Sequence, residues 1–206
     1  MKRIALVVSL MVFTGIVVVG ESNAATRNLV EGKDYEIMSP KGSKQREVLE
    51  FFSYACAACY TMENVVDDFK KKNPDIKVIP VPTDLGHSQW EVYVKAYYLG
   101  KMLKVLDQSH PKIFHMIHVQ KKHLVSEDDL KKFFLDLGVD QAKIESALSS
   151  FTLNSSIRRG KQLMRSFRVS GTPTFVANKR YKLNNKSLAT SEMIHKALAD
   201  LTQLEK

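Results

Sequence analysis

Val48-Leu49-Glu50-Phe51-Phe52-Ser53-Tyr54-Ala55-Cys56-Ala57-Ala58-Cys59-Tyr60 is the stretch on which the fold turns. An apolar run of strand composition ends at a short polar break. Two cysteines three positions apart follow, where Thr61 to Phe69 turns helical, and the chain holds no other cysteine. A C-x-x-C at a strand-to-helix junction is the pattern of a dithiol redox site. Its spacing lets the pair close a small disulfide ring at the first turn of a helix. The first sulfur then meets the orphan N–H groups and the positive end of the helix dipole, which favour its thiolate. A thiolate so stabilised leaves readily, and its disulfide is easily reduced by a client thiol.

Two other readings of the pair stand beside this one. Half a zinc site would need two more ligands, and no second C-x-x-C is present. The four histidines His110, His115, His118 and His123 bring no acidic or thiol ligand at metal-site spacing, and read as surface or capping residues, with His115 and His118 on one helix face. A structural disulfide is the other reading, but one closing so short a loop gains little unfolded-state entropy. Redox chemistry is the expectation, with no metal and no cofactor.

The chain has 206 residues, 44% hydrophobic and 26% charged, and a net charge of +9. These values describe a globular protein of one ordinary domain with an insertion, or two small ones. The positive excess suits acidic clients or anionic surfaces. The lysines are scattered over helical patterns, with only short runs such as Lys70-Lys71-Lys72, so nucleic-acid binding is not expected. Lys2 and Arg3 precede an apolar run from Ile4 to Val19, and Ser22-Asn23-Ala24 offers small residues for cleavage. That is the layout of a secretory signal peptide over residues 1–24, cut after Ala24. An uncleaved anchor is the alternative. Outside the cytosol a disulfide persists, so an exported C-x-x-C can run as an oxidant.

Outward from the cysteines, Tyr35 to Met38 alternates as a short strand, closed by the turn cluster Pro40-Lys41-Gly42-Ser43. Arg46 to Ser53 reads as a central strand buried on both faces. Glu50 is out of place in it. A buried carboxyl resists ionisation, so its pKa should rise, and a group there can relay the proton of the buried thiol. A glutamate at an exposed sheet edge, or one paired with a lysine, is the plainer reading. Met62, Val65, Val66 and Phe69 give the helix after Cys56 an apolar side. Asn73-Pro74-Asp75 stops it, and Ile76 to Pro82 reads as a second buried strand closed off by its prolines.

From Ser88 to about Phe167 the pattern is helical. Trp90, Tyr93, Val94, Tyr97 and Tyr98 form one apolar face, expected in the core. Ser126 with Asp129 makes a capping box, and Asp140 caps a helix that turns Ile144, Ala147, Leu148 and Phe151 to one side. Strand pattern returns at Thr172-Pro173-Thr174-Phe175-Val176-Ala177. A proline opening a strand after Gly-Thr, in a chain with a C-x-x-C, suggests a cis peptide. That geometry would leave the carbonyl and N–H of Thr172 free to pair with an extended client. Asn178-Lys179-Arg180 is a hairpin turn and Tyr181-Lys182-Leu183 the return strand. Thr190 caps a last helix with Ile194, Ala197, Leu198, Leu201 and Leu204 inward. The two outer parts fit one mixed α/β sheet flanked by helices, and the middle is an insertion.

On these residues the chain resembles the DsbA family of periplasmic thiol:disulfide oxidoreductases. The carriers are Val48 to Ser53 leading into Cys56-Ala57-Ala58-Cys59-Tyr60, Asp84-Leu85-Gly86 with Trp90, Gly171 to Val176, and Tyr181-Lys182-Leu183-Asn184. The resemblance implies an α/β thioredoxin fold with an inserted helical domain. Residues 25–87 and 168–206 would form the thioredoxin-like domain and 88–167 the insertion. It implies that Cys56 is the exposed attacking sulfur and Cys59 its buried partner. It also implies oxidation of reduced or unfolded exported proteins in the periplasm and reoxidation by a DsbB-type quinone-linked membrane protein. Nothing in the sequence demands a dimer, so a monomer is expected. A disulfide isomerase or reductase on the same fold is the nearest alternative. A chaperone-like peptide-binding module with a structural disulfide is a more distant one. Two departures stand out. The best-known members carry Pro-His between the cysteines, and this chain carries Ala57-Ala58, which predicts a higher Cys56 pKa and a less oxidising disulfide than theirs. Those members also place a lysine beside the buried acid, where Pro80 falls here. Lys77 is the substitute partner for Glu50 only in another register.

Overall fold

The computed structural model describes residues 28–204; the expected signal peptide over 1–24 lies outside them. Five strands form one mixed sheet: β1 (Tyr35–Ile37), β2 (Glu47–Phe52), β3 (Lys77–Pro82), β4 (Thr174–Ala177) and β5 (Tyr181–Leu183), in the order β1-β5-β4-β2-β3. Only the β2–β3 pair is parallel. Helix α1 (Ala57–Lys72) joins that pair, giving the crossover that a parallel connection requires. Between β3 and β4 run α2 (Glu91–Met102), α3 (Leu106–His118), α4 (Glu127–Asp136), α5 (Gln141–Leu148) and α6 (Phe151–Ser166). The chain then closes with α7 (Ser191–Leu201) after β5.

All six residues of β2 are buried. Successive side chains alternate between the faces of a strand. Val48 joins Val66 and Phe69 of α1 and Ile194 and Leu198 of α7 in one cluster. Leu49 and Phe51 join Phe167 and the partly buried Leu163 and Met164 on the other face. Glu50 therefore shares the Val48 face, against helices rather than solvent. Phe52, at the strand's end, belongs to a third cluster with Tyr54, Cys59, Tyr93, Tyr97 and Phe114. The C-x-x-C is thus wedged where the sheet meets the helical block. Tyr93 and Tyr97 are core, as expected of the aromatic stripe, while Trp90 and Tyr98 pack partly buried against it.

Three expectations need correction. β3 is an edge strand, with Lys77 exposed and only Val81 and Pro82 buried. Its prolines sit inside the strand, which an edge tolerates because one side of it needs no N–H donors. Phe151 opens α6 and is 78% exposed, under Arg158, instead of packing with Ile144. Leu204 lies beyond the end of α7 and is exposed.

Candidate active site

Cys56 is the N-cap of α1, and its Sγ accepts the N–H of Cys59 at 3.4 Å. No acidic residue occupies the first turn of α1, and Lys70, Lys71 and Lys72 occupy the last. The helix therefore offers an uncompensated positive end to the sulfur. Both cysteines are thiols, Cys56 half-buried and Cys59 buried. Their environments drive them apart. Partial burial pushes the Cys56 thiol up, but hydrogen bonding from the Thr172 side chain, from the Cys59 thiol and from the N–H groups of Cys59 and Ala58 outweighs it, and the net direction is down. Burial pushes the Cys59 thiol far up. One sulfur is built to carry charge and the other to hold its proton. Ala57 and Ala58 are exposed and contribute backbone only.

Thr172 and Pro173 reach this pair across 116 residues of chain. Their peptide bond is cis. The Thr172 carbonyl, expected to be free for a client, instead accepts from the Cys56 Sγ–H at 3.3 Å. The reason is the proton on Cys56. A thiolate or a disulfide has none to donate, so oxidation releases that carbonyl. The loop is pinned from behind by Asn185, whose Nδ2 donates to the Pro173 carbonyl at 2.9 Å. Thr174 Oγ1 closes it by donating to the Gly171 carbonyl at 2.8 Å.

Glu50 is 3% exposed. Pro80 lies opposite it on β3, and Lys77 lies opposite Glu47, so this register removes Lys77 as its partner. Burial, reinforced by the charge of Glu63, pushes the Glu50 carboxyl up to about 8 against the pull of Lys70. Lys70, on the last turn of α1, is the cation whose charge reaches Glu50, while its Nζ pairs with Asp67 at 3.1 Å.

His110 and His118, read from the sequence as surface or capping residues, instead brace the site. His110 accepts at Nδ1 from the Tyr54 hydroxyl at 2.6 Å and donates from Nε2 to the Glu63 carboxylate at 2.9 Å, the tautomer that satisfies both partners. His118 donates from Nε2 to the Tyr54 carbonyl at 2.8 Å, and its ring stacks on Tyr60 with centroids 5.0 Å apart. His110, Phe114 and His118 recur every fourth residue along α3, so they share one face of it. That face meets the segment entering the C-x-x-C. The paired reading of His115 with His118 missed this, and His115 is exposed. His110→Leu should lower stability by about 1–3 kcal/mol, because the buried Tyr54 hydroxyl loses its partner. Adding Tyr54→Phe should recover part of that loss in urea denaturation; strictly additive losses would show that the two groups do not interact.

Residues 88–198 match the family described as DSBA-like thioredoxin domain. The chain is 31% identical over 176 residues to the thiol:disulfide interchange protein DsbA of Burkholderia cepacia, covering 79% of each. It is 33% identical over 138 residues to that of Bordetella parapertussis, a match taking in 66% of this chain and 64% of that protein. A crystal structure of a Pseudomonas aeruginosa DsbA variant superposes with a TM-score of 0.79 at 27% identity, over 85% of this chain and 97% of that one.

Proposed function

This chain belongs to the family of DSBA-like thioredoxin domains, and from that premise we propose that it is an exported dithiol oxidase which donates a Cys56–Cys59 disulfide to unfolded proteins in the periplasm. The observation that carries this reading is the asymmetry of the two sulfurs, one favoured as an anion at a helix N-terminus and the other buried and protonated. Stabilising the reduced state makes the disulfide a better oxidant.

The cycle follows from the asymmetry. A client thiolate attacks Cys56 Sγ, the sulfur with access to solvent. The Cys56–Cys59 bond breaks and its electron pair leaves on Cys59, which takes up a proton. A second client thiolate then attacks the client sulfur of the mixed disulfide, and Cys56 leaves as its favoured thiolate. Two electrons have passed from client to enzyme, and the client holds a new disulfide. In this scheme Glu50, whose pKa near 8 lets it give and take a proton near neutrality, serves the buried Cys59. Thr172 offers its released carbonyl to the client backbone, and Asn185 holds the loop that presents it. Reoxidation falls to a quinone-linked membrane protein of the DsbB type. Residues 25–87 and 168–206 act as the redox domain and 88–167 as the insertion that walls the site. No helix among the described residues is long and apolar enough to cross a membrane.

The test is restoration of activity to a reduced, denatured, disulfide-requiring enzyme by the oxidised protein. Failure to do so with intact Cys56 and Cys59 would remove the oxidase reading. The dipeptide gives a second measurement. Ala58→His should bring a donor and positive charge to Cys56, lowering its pKa by about one pH unit or more and raising the reduction potential. Thiolate ultraviolet absorbance and equilibrium with glutathione read the two quantities, and no change in either would show that a donor at position 58 does not act on the Cys56 sulfur.

A further inference from the structure

Beside the cis peptide lies an open groove of about 360 Å³. One wall is Gly171 to Thr174, and the other is the segment after β5 from Asn184 to Lys186. Three cations line it, Arg168, Lys182 and Lys186, and no carboxylate does. Lys182 is already matched, with its Nζ 3.0 Å from Glu36. Arg168 and Lys186 are exposed and make no ion pair among the described residues. The Arg168 guanidinium lies 4.0 Å from Met38 Sδ. The groove is continuous with the reacting centre, because Thr172 lines it and also touches Cys56 Sγ.

Resting on the oxidase reading, we propose that this groove selects clients carrying an aspartate or glutamate within three residues of the reacting cysteine. The distance argument is simple. A client whose sulfur sits on Cys56 must pass Thr172, and an extended chain covers about 3.3 Å per residue, so its next few side chains fall along this groove. Two unmatched cations there meet an acidic side chain favourably and a basic one unfavourably. Because both are exposed, the interaction acts on encounter and orientation and is screened by salt.

The experiment uses the oxidised full protein and three dithiol peptides that are identical except for glutamate, glutamine or lysine flanking one cysteine. Each oxidation rate is divided by the same peptide's rate with oxidised glutathione, which removes the effect of the charge on its own thiol. At low salt the expected order is glutamate, glutamine, lysine, with roughly 3–10-fold between the extremes, shrinking as salt is added. Arg168→Gln with Lys186→Gln should bring the ratio toward one. Lys104→Gln with Lys143→Gln, which removes the same charge away from the groove, should leave the ratio intact. An unchanged ratio in the Arg168/Lys186 variant would overturn the groove and assign the preference to the overall positive charge. No ordering in the unsubstituted protein, with the glutamine peptide oxidised normally, would overturn the groove while leaving the oxidase reading standing. No oxidation of any peptide would remove both.

Discussion

Cys56→Ser should reduce dithiol oxidation to the uncatalysed background, whereas Cys59→Ser, given client in its disulfide form, should attack it through Cys56, release the other client sulfur as a thiolate and hold the client as a stable mixed disulfide. Both follow from the division of labour between the sulfurs. Cys56 is half-buried and is the sulfur more favoured as an anion; a serine hydroxyl there neither forms a disulfide nor leaves as an anion at neutral pH. Cys59 is 1% exposed, out of reach of a client sulfur. Non-reducing gels distinguish the outcomes. A fully active Cys56→Ser variant, or client trapped on Cys59 in its place, would reverse the assignment. The same asymmetry sets a pH dependence in the reduced protein. The folded pKa of Cys56 is lowered, so its contribution to stability is present above the unfolded thiol's pKa and is lost as pH falls through the folded value. Cys56→Ser should remove that dependence.

Glu50→Gln should stabilise the oxidised protein at pH 9 by as much as about 4 kcal/mol and leave it nearly unchanged at pH 4. The sign is opposite to that of a paired carboxylate. Burial raises the folded pKa of Glu50 to about 8 from an ordinary 4.5. Between those values the folded state holds a proton that the unfolded state has released, so stability falls as pH rises across the window. Glutamine has no proton to lose and no charge to bury. The disulfide form is the one to measure, because neither sulfur titrates in it. Urea denaturation from pH 4 to pH 9 gives the comparison, and parallel pH profiles for the two proteins would show that Glu50 ionises freely. If Glu50 supplies the proton that Cys59 takes up, as proposed, the same substitution should also slow reduction of the disulfide in turnover; an unchanged rate would leave Glu50 with a structural role only.

Much of this site was readable along the chain, for a local reason. Cys56 and Cys59 lie at a strand-to-helix junction, and three-residue spacing at a helix start dictates which sulfur meets the orphan N–H groups. Glu50 announced its burial through its neighbours, because Val48, Leu49, Phe51 and Phe52 put apolar side chains on both faces of the strand. Ser126 with Asp129 and Asp140 capped their helices as their types require. The edge position of β3 had a signal as well. Pro80 and Pro82 inside one strand argue for an edge, and reading them as mere closure turned an edge strand into a buried one.

By itself, the order of residues determined the paired cysteines and the strand-first, helix-after geometry that favours one sulfur as an anion, since each depends on spacing within one or two turns of chain. Only the tertiary structure decided that Thr172 would hold the proton of Cys56, that His110 and His118 would brace Tyr54, and that Lys70 rather than Lys77 would be the cation felt by Glu50. Those contacts join separate elements. They are set by how α3 docks on the segment before Cys56, by the register of β3 and by where β4 enters the sheet, and no period in the sequence encodes a distance between surfaces that meet only after folding.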